Sequence, residues 1–226
     1  MTESKKPLKF VRGIAVVLMG LTVFFTLMGG AGTTCVAFGA EKYESMIALV
    51  PYKPLYQALV VLSLAAGIWG VPVTIALVRG GERAYRNALL MLFAGAVTSG
   101  IQMAVSQAVR GASAPANVRF YITAFTLAIF LLLRLPPMRE RLDFRQPFRG
   151  GTSSAGGAAL IVCGVLALTT YSWAGSTHLA AWIDVLRGPL MVGGNAMVLG
   201  GLSLWIGAIL APRQTDHGVS VFWDLA

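Results

Sequence analysis

The chain has 226 residues, 56% of them hydrophobic and 12% charged, and its 18 Lys and Arg against 9 acidic residues give a formal net charge of +9. Soluble domains carry about 45–50% apolar and about 25% charged residues, so a soluble enzyme is excluded. Uncharged blocks of about 20 residues match a hydrocarbon core of about 30 Å, and backbone groups in lipid must be satisfied within each block; the predicted class is therefore all-α, a polytopic transmembrane bundle of six spans forming one integral domain.

The first span is predicted at residues 11–32, after a basic stretch of Lys5, Lys6, Lys9 and Arg12. A basic stretch before the apolar run Ile14 to Met28 resembles a secretory signal, but cleavage is not expected, because this span takes part in an internal similarity described below. Beyond it, Tyr43, Met46, Ile47 and Val50 follow the i, i+3, i+4, i+7 pattern of a helix with one apolar stripe, predicting an interfacial helix over residues 41–50. Pro54 then opens a second span at 55–78, in which Ser63, Gly67 and Gly70 make a small-residue face for close helix packing.

A short connection with Arg79, Arg83 and Arg86 leads to the third span, 87–109. Here Thr98, Gln102 and Ser106 recur every four residues and share a face. Such a stripe either lines a polar path or hydrogen-bonds to neighbouring helices, and the second use is the commoner one. The fourth span, 118–134, has Arg119 and Arg134 near its ends, where long side chains snorkel to water. No ionisable group is expected at mid-membrane depth, which counts against a proton-coupled pump.

The segment that follows holds the densest charge run, with Arg139, Arg141, Arg145 and Arg149 beside Glu140 and Asp143. It reads as a topological determinant, and as a docking site for anionic lipid or a cytoplasmic partner. The fifth span, 156–174, is followed by an outer segment containing His178 and Asp184, with a second interfacial helix predicted at 178–187. The sixth span, 189–210, carries Gly193, Gly200 and Gly207 at heptad spacing with Gly194, Gly201 and Ala208 beside them, a flat groove for a helix, a lipid or an apolar pigment. Asn195 lies near its outer end. The apolar tail with Phe222 and Trp223 is expected to rest on the membrane or on a partner.

Orientation follows from the basic residues. Arg12, Arg79, Arg83, Arg86, Arg134, the four arginines of the 139–149 run and Arg213 fall on one side together with the N-terminal lysines. The other side has only Lys42, Lys53, Arg110, Arg119 and Arg187. The positive-inside rule places both termini in the cytoplasm of a plasma (inner) membrane protein. The same asymmetry accounts for the net charge, so no nucleic-acid partner is expected.

The fifth and sixth spans resemble the first and second in the same sense: Gly13 and Gly20 match Gly157 and Gly164 in spacing, and Trp69 matches Trp205. A parallel duplication of a helical hairpin is the corresponding expectation. Cys35 and Cys163 fall at different depths, so no disulfide is expected between them. His178 and His217 cannot form a bis-histidine haem site at one depth, and three zinc ligands do not cluster. No metal or obligatory cofactor is predicted.

With no loop large enough for a catalytic domain, the preferred function is a non-catalytic accessory or scaffold subunit that packs against other integral membrane subunits, lipid or an apolar cofactor. One alternative is a small-solute transporter or channel whose path uses Thr98, Gln102, Ser106 and Asn195. Another is a lipid-modifying enzyme at the outer interface, using Glu41, Glu44, His178 or Asp184, which requires at least two of them to converge.

Overall fold

Each apolar block folds as an α-helix. The computed structural model describes residues 9–139, 142, 144–145, 152–174 and 182–210. Among the described residues there are seven α-helices: α1 (Lys9–Gly39), α2 (Lys53–Arg79), α3 (Ala84–Arg110), α4 (Ala116–Leu132), α5 (Pro136–Arg139), α6 (Thr152–Ala174) and α7 (Trp182–Leu210). Four stretches, Phe10–Lys42, Glu44–Arg79, Ala84–Arg110 and Arg187–Leu210, are long and apolar enough to cross a membrane. The chain is an all-α, multi-pass membrane protein by these criteria. At 17 residues, α4 is about 26 Å long.

The helix ends are set by local chemistry. α1 continues seven residues past the predicted end at 32, because Thr33 and Thr34 return their hydroxyls to the carbonyls of Gly29 and Ala31, each at 2.5 Å. A side chain that bonds its own preceding turn is compatible with an apolar helix even though it is polar. Pro54 stands in the first turn of α2, where its missing N–H costs nothing. α3 ends at Gly111, whose φ of +67° is a left-handed conformation that glycine adopts without strain and whose N–H closes on the Gln107 carbonyl at 3.0 Å.

Between α1 and α2 lie two 3-10 segments, Ala40–Lys42 and Glu44–Tyr52. The predicted stripe of Tyr43, Met46, Ile47 and Val50 is corrected here. A 3-10 helix has three residues per turn, so the inward row is Tyr43, Met46 and Leu49, with Met46 and Leu49 buried and Ile47 55% exposed. This segment caps a cluster of Cys35, Val36, Tyr56 and Val60 instead of lying free on a surface. Nor does 178–187 form a separate interfacial helix over its described part: from Trp182 onward it belongs to α7, and Pro189 is accommodated inside that helix.

α1 to α4 close into a ring, α1 packing on both α2 and α4, while α6 docks on the outer flank of α1 and α7 rests on α6. The ring has an upper end, where α1 joins α2 and α3 joins α4, and a lower end at the α2–α3 turn. Its lower half is filled by Val16, Met19, Leu77, Met91, Leu92 and Phe130, all under 2% exposed. Leu142 and Phe144, from the connection after α5, complete this apolar layer. Phe144 lies 5.4 Å from the Tyr85 ring and beneath the Arg12 guanidinium, and its carbonyl accepts from the Gly81 N–H at 3.2 Å. Arg12 also donates to the Leu77 carbonyl at 2.8 Å.

The two hairpins pack differently. In α1–α2, Leu27 seats over Gly67, and Leu64 over Gly30, a side chain filling each space. In α6–α7 the backbones themselves meet. A Cβ placed on Gly201 would stand 2.6 Å from the Gly157 carbonyl oxygen, and one on Gly164 2.7 Å from that of Gly194.

Candidate functional site

The upper half of the ring is polar inside, and its centre is Arg119. α4 presents Arg119, Thr123, Thr126 and Phe130 on one inward face, a spacing that one helix face requires. Arg119 is 3% exposed, so it does not snorkel out of the bundle as expected from its place near a span end. The correction has a steric cause. Gly29 of α1 leaves the space the side chain fills: a Cβ there would lie 2.7 Å from Arg119 Cδ.

Three further helices supply acceptors to that guanidinium or brace them. Arg119 Nη1 donates to Ser63 Oγ of α2 at 3.0 Å, and Nη2 donates to Gln102 Oε1 of α3 at 2.6 Å. The Gln102 amide is oriented in turn, its Nε2 donating to Thr33 Oγ1 of α1 at 2.8 Å. One turn of α3 above, Ser106 shares a 2.9 Å hydrogen bond with the Tyr56 hydroxyl of α2. By helix rise, Gln102 lies about 12 Å below the end of α3.

The electrostatics of this cluster are one-sided. A guanidinium is always charged and carries five N–H donors. Among the described residues no carboxylate pairs with Arg119; the ion pair between described residues joins Lys53 to Glu41, 2.7 Å apart and partly exposed. Arg119 Nε is buried without a hydrogen-bond partner. Ser63 Oγ accepts from Arg119 Nη1.

Of the predicted polar residues, Gln102 and Ser106 join this cluster. Thr98 is buried on the same face but bonds to the carbonyls of Ala94 and Gly95 in its own helix. Asn195 is not brought to them: it is exposed on α7 and donates to the Met191 carbonyl at 2.8 Å. Glu41 and Glu44 are both exposed, Glu41 held by Lys53. His178 and the side chain of Asp184 lie outside the described residues, as do Arg141, Arg149 and the side chain of Arg139. Arg145 is exposed next to the buried Phe144.

The glycines of α7 divide into two rows. Gly194 and Gly201 face α6, and a Cβ on Gly194 would stand 2.8 Å from Leu168. Among the described residues, Gly193, Gly200 and Gly207 have no atom within 4 Å of where a Cβ would be, and Val192 and Leu199 beside them are 73% and 64% exposed.

Sequence reasoning passed over Arg119, Thr33, Ser63 and Tyr56 as cluster members. The available signal was the i, i+4, i+7 spacing of Arg119, Thr123 and Thr126, which puts the cation on the polar face of its helix. No family model, curated protein or solved structure matches this chain.

Proposed function

We propose that this chain is a six-span membrane protein with both termini cytoplasmic, the upper end of its ring facing outward, and that it works as a non-catalytic accessory or scaffold subunit. Its docking face is the open glycine row of α7, which takes a helix of another integral membrane subunit. The observation that carries this reading is the contrast between two adjacent rows of one helix. Gly194 and Gly201 are filled by α6, whereas no described residue covers the Gly193, Gly200 and Gly207 row. Helices associate in lipid through close packing more than through hydrophobic exclusion, so a bare glycine groove is where a second helix gains most contact.

The fate of the third-span stripe supports the same reading over a continuous transport path. Gln102 and Ser106 are engaged by side chains of neighbouring helices, and Asn195 stands on a helix that rests on α6. For the interfacial enzyme reading, Glu41 is held by Lys53 and both it and Glu44 are exposed.

Extraction in mild detergent with an affinity tag, followed by identification of co-purifying membrane proteins, tests the proposal. A stoichiometric partner that is lost from Gly200→Leu, while the variant keeps the thermal midpoint of the parent protein, is the expected result. Retention of every partner by both Gly200→Leu and Gly193→Leu overturns it.

A further inference from the structure

We infer that the Arg119 cluster is a binding site for a small monovalent anion of halide size. The inference rests on charge and donor count. Arg119 is buried, charged and without a carboxylate partner among the described residues, and two of its N–H groups are engaged by neutral acceptors, Ser63 Oγ and Gln102 Oε1. Neutral acceptors solvate a guanidinium only in part, and an uncompensated ion in a low-dielectric interior is costly.

The guanidinium keeps a spare donor: Arg119 Nε is buried without a hydrogen-bond partner. A buried positive charge with an unfilled N–H donor is complementary to an anion and to no cation. One unit of charge is to be balanced, which fits a monovalent ion.

The cluster is covered at both ends, above by Met46, Leu49 and Tyr56 and below by Met19, Met91, Leu92 and Phe130. The guanidinium is enclosed among α1, α2, α3 and α4, which leaves out a phospholipid headgroup with its two acyl chains; the ion proposed is a small free one that enters on local opening of the bundle. The site is independent of the α7 docking face, and either can fail alone.

The test uses the purified full chain in an uncharged detergent. Thermal unfolding is followed by tryptophan fluorescence as sodium gluconate is replaced by sodium chloride or bromide at fixed ionic strength. The midpoint is expected to rise and saturate, by roughly 5–10 °C at about a hundredfold excess over Kd, and Arg119→Gln is expected to abolish the rise. A flat response of the parent protein overturns the inference. So does an unchanged response in Arg119→Gln, which keeps every surface arginine and therefore reports only the buried one. Where Arg119→Gln does not accumulate as folded protein, Arg119→Lys takes its place: it keeps the charge but loses the unpartnered Nε–H, so the half-saturating halide concentration rises about fivefold, the cost of one hydrogen-bonding group, and an unchanged value sinks the proposal.

Discussion

Arg119 Nη2 and Gln102 Oε1 stand 2.6 Å apart, a hydrogen bond that joins α4 to α3 in the interior of the bundle. Gln102 is itself fixed by Thr33, so one amide couples three helices. Removing one partner and removing both therefore have opposite consequences. Gln102→Leu leaves a buried cation with one acceptor fewer and is expected to lower stability by about 2–3 kcal/mol. Arg119→Met combined with Gln102→Leu replaces the pair by apolar groups and is expected to recover at least half of that loss. Thermal unfolding of the two single variants and the double variant, read as a double-mutant cycle, checks this; additive losses would show that the two side chains do not interact.

The two glycine rows of α7 predict an asymmetry between neighbours in sequence. Gly201→Ala forces a Cβ to within 2.6 Å of the Gly157 carbonyl oxygen, and backbone cannot give way cheaply, so a loss of about 1–3 kcal/mol is expected. Gly200→Ala meets open space and gains up to about 1 kcal/mol from helix propensity. Comparing their denaturation midpoints in detergent decides it, and equal destabilisation would contradict the packing described.

Phe144 closes the lower end of the ring by touching Tyr85, Phe130 and Arg12 together. Phe144→Ala removes a buried aromatic ring from that layer, at an expected cost of about 3–5 kcal/mol. Arg145→Ala, one residue on and exposed, is expected to cost less than about 0.5 kcal/mol. The measurement is the unfolding midpoint of each variant, and a Phe144→Ala midpoint as high as that of Arg145→Ala would place the ring outside the core.

The proposed orientation is open to single-cysteine labelling. Cys35 and Cys163 are buried and should resist a membrane-impermeant maleimide. A cysteine at exposed Glu44 is expected to react in intact cells, and one at exposed Glu82 only after the membrane is permeabilised. The reverse pattern would invert the topology.

The hydropathy of uncharged blocks was sufficient for the all-α class and for four long apolar helices, while helical periodicity carries information about which residues share a face. The third-span stripe was legible for the same reason, since Gln102 and Ser106 lie on one face whatever they meet. The 3-10 geometry of residues 44–52 was not, because a period of three and a period of 3.6 diverge by only a residue over so short a segment, enough to turn Ile47 outward and Leu49 inward.

What the chain alone determined is thus its partition into lipid: hydropathy is a sum over residues and needs no neighbours. Only the tertiary structure decided where Arg119 goes and which glycine row remains bare. Both depend on the partner surface, a guanidinium turning inward because Gly29 makes room for it and one α7 row being consumed because α6 offers Gly157 and Gly164 opposite. Such complementarity belongs to pairs of helices, and no single helix encodes it.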